Sequence, residues 1–361
     1  MDDELVTLLK EVDELKVMTL TETVREIDTP AQFLSTLLFS RHQTFATETL
    51  EIGLKSGSRV HAPLVRRGGE ALLVPGLTDG WQRIQAPNIR IKMPFEAIDL
   101  LFTRRAGQQF HTTSGEINQA LAQKIGDDLE YMRGQRDNAE ELLCAQTVAG
   151  QISYQVSPNE NYQVTIPRPA THTFTAPTLW DDADPDLVDI AGDCHAVKRI
   201  MNNDPGLAPT HCVLGTEAAD KFLSVLAKRS DTLDKRRLDD GSISLQSQFA
   251  QNGAIYLGRY AGIEFWEYSR TVIDPSGTEV NLIRPKYAEF FHVGPAADRR
   301  LYYAAIPDIQ AIQNGQHVSE MFSKSWVQED PSQIMYLLHS RPLPWPRRAN
   351  TWCSVKVISG T

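Results

Sequence analysis

Few residues in this sequence combine the types and spacing that chemistry requires. Cys194-His195 and His211-Cys212 come nearest to a metal-ligand set. Adjacent side chains seldom both reach one ion, and structural zinc sites usually space their ligands by two to four residues. The pattern therefore predicts buried thiols and satisfied histidines. His317-x-x-Glu320 lacks the second histidine of H-E-x-x-H. Asp181, Asp182, Asp184 and Asp186 offer oxygen ligands, but acids gather at helix N-termini for electrostatic reasons alone, and a helix cap is the expectation. There is no G-x-S-x-G elbow, P-loop or G-x-G-x-x-G, and no cysteine sits in a recognisable setting for an activated thiolate. The mixed run "KRSDTLDKRR" (228–237) places Arg236 and Arg237 near Asp231 and Asp234. It reads as a solvated loop or an intersubunit ion-pair patch, with DNA contact third because acids interleave. No catalytic residue, metal or cofactor is assigned. The different-class alternative is a metal-dependent hydrolase using His195, His211 and the aspartate run.

Composition narrows the class. The 361 residues are 41% hydrophobic and 23% charged, with net charge −10. That length supports two or three core-bearing units in an ordinary globular protein. The acidic balance argues against a groove-reading nucleic-acid binder, which needs concentrated Lys and Arg. No apolar run approaches a membrane span. The acidic, amphipathic start "MDDELVTLLKEVDELKV" is unlike a signal peptide, so a cytoplasmic setting with four reduced cysteines is expected.

The elements that must position any site are plainer. Apolar residues from Leu5 to Leu15 at helical spacing suggest an arm with helical tendency. A dense apolar patch follows at Phe33, Leu37, Leu38 and Phe39, to be covered by the chain's own core or by a neighbouring subunit. The clearest helix runs from about Glu116 to Val148, opened by a capping box, Thr113-x-x-Glu116. Ile117, Leu121, Ile125, Leu129 and Met132 form its apolar stripe, with Arg133/Asp137 and Arg136/Glu140 pairs expected on the opposite face. Gly126 and Gly134 suggest a bend or a close approach. Further on, "QISYQV" and "NYQVTIP" read as strands, 177–204 as a proline-and-aspartate entry into an amphipathic helix, 217–228 as a helix, and most of 254–358 as strands, with a hairpin turn at Asp274–Gly277. The class is α+β.

One stretch raises a structural question. "VRRGGEALLVPG" (65–76) reads as a hairpin tip at Gly68-Gly69, because glycine accepts the positive φ of tight turns. Its flanking arms are about 15 residues each, on the order of 50 Å long. An isolated two-stranded ribbon is marginal in water, so it needs a surface to lie on.

Several segments resemble the major capsid proteins of lambda-type tailed phages, in matching order. They are "LLFSRHQTFATETLEI", the Arg67-Gly68-Gly69 tip with Pro75-Gly76, "LDKRR" at 233–237, "YLGRYAGIEFWEYSR", and "FSKSWVQEDPSQIMYLLHSRPLP". The resemblance covers roughly residues 30–358. It implies the capsid fold shared by tailed phages and herpesviruses (the Johnson fold): an N-terminal arm at 1–48, an E-loop hairpin at 49–86, and a P domain at 87–178 carrying the spine helix. An A domain at 179–315 and a return to the P domain at 316–361 complete it. It further implies a virion protein, assembled in the host cytoplasm, that forms hexamers and pentamers of an icosahedral head. That head encloses double-stranded DNA without specific binding. Scaffolding, portal and decoration proteins are the implied partners, and no membrane is involved. The expected subunit-interface residues are Arg66, Arg67, Gly68, Gly69, Glu70, Phe33, Leu37, Leu38, Phe39, Arg236 and Arg237. Another structural phage subunit, of the tail tube or decoration type, is the nearer alternative.

Overall fold

The computed structural model describes residues 21, 24–25, 32–54, 80–96, 114–157, 160–184, 186–204, 206–228, 253–274, 276–330 and 333–360. The dominant element is α2, Ser114–Ala149, preceded by the short α1, Phe33–Leu38. At 36 residues, α2 is about 54 Å long. The capping box and the stripe positions Ile117, Leu121 and Ile125 fall where side chains are not described, but Leu129 and Met132 are buried as expected. Neither glycine interrupts the helix, and a Cβ at Gly126 or Gly134 would meet nothing within 4 Å. Close approach is therefore not their reason.

Three strands, β4 (Ile89–Glu96), β15 (Phe322–Gln328) and β16 (Gln333–Ser340), form an antiparallel sheet in the order β15-β16-β4. Alternation puts Ile334, Tyr336 and Leu338 on one face, where they meet Leu129 and Met132 of the helix and Val24. Thr21, Val24 and Arg25 are tied in by side chain–backbone hydrogen bonds. Thr21 Oγ1 donates to the Ser323 carbonyl at 3.2 Å and accepts from Ser323 N, while Arg133 donates to the Val24 and Arg25 carbonyls.

A six-stranded sheet organises the rest, in the order β7 (Thr173–Thr175), β18 (Trp352–Lys356), β13 (Tyr287–Phe291), β8 (His211–Leu214), β10 (Ile263–Tyr268) and β9 (Ala254–Tyr260). Its two faces belong to different cores. Cys212, Leu214, Phe265, Phe290 and Cys353 pack under α3 (Ile190–Asn203) and α4 (Thr216–Lys228), together with Trp180 and Phe222. Val213, Trp266, Phe291 and Trp352 face the other way, toward α1 and the C-terminal half of α2. Each large buried side chain contributes roughly 1.5–3 kcal/mol, so both cores draw on one wall. The strands β7 and β18 lie outside 179–315, yet β18 pairs with β13 and β7 pairs with β18. The ladder thus crosses the boundaries expected at 178 and 315, because buried backbone groups must be paired wherever the chain supplies them. Beside it, β14 (Arg299–Tyr303) bridges β1 (His42–Thr44) and β17 (Pro342–Pro346).

Two ribbons and a small hairpin complete the described chain. β2 (Thr49–Leu54) pairs with β3 (Gly80–Gln85), and β5 (Gln151–Ser157) with β6 (Glu160–Thr165). The Asp274 turn joins β11 (Thr271–Ile273) to β12 (Glu279–Asn281), with its carboxylate accepting from Ser276 N and Thr278 N.

All four cysteines are free and buried, and burial pushes the thiols of Cys194 and Cys353 up to about 12. An alkylating reagent at neutral pH should label none of Cys144, Cys194, Cys212 and Cys353 in the native subunit and all four after denaturation. Mass spectrometry checks this, and native labelling at the denatured rate would mean that the two cores open freely.

Candidate assembly surface

The apolar patch near residue 33 is not a free surface. Phe33, Leu38 and Phe39 are buried in the subunit's own core, with Phe33 5.1 Å from Tyr268 and 5.7 Å from Trp266 between ring centroids. Leu37 is partly buried against the same core. Their expected role as contacts to a neighbour is therefore corrected for Phe33, Leu38 and Phe39. A six-residue helix cannot stand alone, and the aromatic face it brings is covered by its own chain. Arg66, Arg67, Gly68, Gly69, Glu70, Arg236 and Arg237 lie outside the described residues.

What fixes α1 is a carboxylate on the long helix. Glu141 is fully buried and accepts from Leu34 N at 2.7 Å, Ser35 N at 3.0 Å and Tyr268 Oη at 2.9 Å. Its oxygens thus take two of the N–H groups that a helix start leaves without intrahelical partners. Burial pushes this carboxyl up, and the three donors offset part of that. Arg270 adds a second tie, donating to Asn138 Oδ1 of α2 and Gln32 Oε1.

One turn away, the charge pairs expected on the face opposite the apolar stripe are buried. Arg136, Asp137 and Glu140 are each under 8% exposed. Arg136 reaches Asp137 and Glu140, each at 2.6 Å, and donates to Tyr303 Oη, which itself donates to Glu140 at 3.1 Å. Arg133 lies 3.8 Å from Asp137. The correction has a simple cause: α2 is packed by elements on more than one side, so its polar face is interior too. Burial opposes charge on Arg136, but Glu140, Tyr303 and Asp137 outweigh it and hold the guanidinium charged. At the edge of this cluster His42 Nδ1 meets Glu320 Oε1 at 3.0 Å.

The hairpin base is anchored. Leu50 and Ile84 face each other across β2 and β3, both fully buried, and Tyr154 Oη donates to the Gln85 carbonyl. Residues 55–79, which join these strands, are outside the described set. Exposed apolar side chains that sequence patterning did not single out are Tyr131 on α2, Ile273 at the β11 end, and Ile309 with Ile312 on α5 (Ile309–Gln313). Spacing of i and i+3 on a five-residue helix carries too little periodicity to flag them.

The sequence-flagged chemistry disperses. Asp181 holds the Ser359 backbone and hydroxyl, while Asp182 and Asp184 make successive local turns. The cap of α3 is Asp189, which accepts from Gly192 N, and not the earlier aspartates. His211 pairs with Glu264 at 3.2 Å, and Cys194 and Cys212 sit in the core under α3 and α4. Among the described residues, no cluster of three His, Cys, Asp or Glu could hold a metal ion.

Replacing Glu141 with Ala strands two helix-start N–H groups and a buried hydroxyl, and should cost about 3–5 kcal/mol in chemical denaturation. A loss below about 1 kcal/mol would show that α1 is held by packing alone. The His42–Glu320 pair has the opposite character, a pH dependence. Hydrogen bonding to Glu320 raises the pKa of His42, so its contribution is complete below 6.5 and is lost as pH rises through the higher folded value. Thermal melts of His42→Gln should show a smaller fall in Tm between about pH 6 and about pH 8 than the parent chain.

Among solved structures, a protein from a prophage of E. coli CFT073 assigned as a capsid protein aligns with TM-score 0.73 and 17% identity, covering 95% of this chain and 99% of that one. A phage-related protein of Bordetella bronchiseptica RB50 aligns with TM-score 0.51 and 13% identity, covering 94% and 96%. These likenesses are to the fold. No curated protein gives a significant match. The family model for phage major capsid protein E matches residues 16–357, nearly the whole chain. With the spine-length helix, the anchored hairpin base and the phage-capsid fold in place, the chain belongs to the phage major capsid protein E family and is a phage capsid subunit.

Proposed function

We propose that many copies of this subunit close into hexamers and pentamers of an icosahedral head around double-stranded DNA, with shape as the function and no catalytic step. The supporting observation is the hairpin base. Leu50 and Ile84 fix β2 and β3 in the subunit core, while 25 residues, 55–79, join their outer ends. A connection of that length on a fixed base suits an arm that reaches a neighbour, with Arg66, Arg67 and Glu70 as polar anchors beside Gly68 and Gly69. Exposed ion pairs contribute only about 0–1 kcal/mol each, so apolar coverage by the arm should dominate the contact. Closed symmetry repeats every such contact, which allows each to be weak. Arg236 and Arg237 are proposed as a further intersubunit patch. The domain division follows the same reading: arm 1–48, loop 49–86, P domain 87–178 and 316–361, A domain 179–315. Scaffolding, portal and decoration proteins are the proposed partners, assembly is placed in the host cytoplasm, and the net charge of −10 suits a wall that does not grip the packaged DNA.

Shortening the loop by removing residues 58–78 should leave folded subunits, with an unchanged circular dichroism spectrum, that form no closed shells by sedimentation and negative-stain microscopy. Normal particles from that variant would overturn the role of the loop as an intersubunit arm.

A further inference from the structure

A cleft of about 140 Å³ opens between the Ser40-Arg41 step and the turn at 293–299. At about 30 Å³ per water, it has room for a group of four or five heavy atoms. Arg299 lines it and is only 5% exposed. Its Nη2 donates to the Thr351 carbonyl at 2.9 Å and to Thr351 Oγ1 at 3.1 Å, and its Nε has no hydrogen-bond partner. The guanidinium carbon lies 5.5 Å from the ring centroids of Phe291 and Trp352. No acid forms an ion pair with it among the described residues. Asp298, its neighbour in sequence, also lines the cleft, but its backbone sits in the left-handed region at φ 47° and its carboxylate is engaged by Arg300 at 3.0 Å and Arg347 at 3.6 Å, which answer its charge. A buried cation without a counter-charge is costly, and burial alone pushes this one down to about 9. Arg41 stands exposed at the mouth of the same cleft.

We propose that this cleft binds a small oxyanion, a carboxylate or a phosphate group, which supplies the negative charge that Arg299 lacks and is held from the mouth by Arg41. Ser40 adds a hydroxyl donor, and Leu38 with Leu37 gives an apolar wall suited to the methylene stem of a carboxylate side chain. The oxyanion has two sources: a free anion in solution, or an acidic side chain of a neighbouring copy. The second source rests on the shell-forming reading.

The test is thermal unfolding of the full-length subunit with sodium phosphate or sodium acetate, against sodium chloride at equal ionic strength, for the parent chain and for Arg41→Gln. Arg41 is exposed, so this variant should fold normally. A free anion predicts a saturable rise in Tm with phosphate or acetate, with apparent affinity falling roughly tenfold in Arg41→Gln. A carboxylate from a neighbouring copy predicts no rise for the isolated subunit, but fewer closed shells from Arg41→Gln at unchanged Tm. No anion effect together with parent-like shell yield would overturn the site. If the parent chain itself never assembles, the shell-forming reading fails, and the anion titration alone then decides the cleft.

Discussion

Four consecutive-turn charges on one helix, Arg136, Asp137, Glu140 and Glu141, lie inside the protein, and the surrounding fold can exist only if each is answered. Removing one partner of a buried pair exposes the full cost of an uncompensated charge, so the answering groups are not interchangeable. Glu141 is met by the start of α1 and by Tyr268 on β10; Arg136 and Glu140 are met by Tyr303 on β14. These contacts tie the spine-like helix to the N-terminal segment, to the six-stranded sheet and to the three-stranded sheet at once. Charge placement therefore sets register, where apolar packing alone would tolerate sliding.

The sheet supplies the second constraint. A strand sequence alternates its faces with period two, and here both faces are apolar, so the sheet must be enclosed on each side. The helices α3 and α4 cover one face, and α1 with α2 covers the other. Loss of either cover would expose aromatic surface such as Phe265 or Trp266. A shell subunit that must bear repeated contacts gains rigidity from this arrangement, since its two cores cannot shift independently.

Against that rigid body, the hairpin base and the exposed apolar positions have a different character. Leu50 and Ile84 hold the ribbon where it leaves the core, and Tyr131, Ile273, Ile309 and Ile312 keep apolar area in contact with solvent. Scattered exposed apolar residues are ordinary on a monomer. The anchoring is intrinsic to the chain, whereas the described residues leave these side chains open to solvent.

Sequence alone settled the features governed by local rules. The long helix, the strands near 151–165, the Asp274 turn and the arms leading to Gly68-Gly69, described as paired strands at 49–54 and 80–85, follow from spacing, turn chemistry and β-propensity, and ordered motifs pointed to the family. Tertiary structure decided what spacing cannot express. Phe33, Leu38 and Phe39 read as a patch to be covered by the chain's own core or by a neighbour, and only the positions of Trp266 and Tyr268 make them core. Arg136 and Glu140 read as a pair opposite the apolar stripe; i,i+4 spacing is identical on buried and exposed faces, and only Tyr303, more than 160 residues away, makes them interior. Arg299 carried no motif at all; a long-range contact with Thr351 holds it inside, with no ion-pair partner among the described residues. Periodicity records which side chains share a face, whereas the identity of what lies against that face is fixed by chain segments distant in sequence.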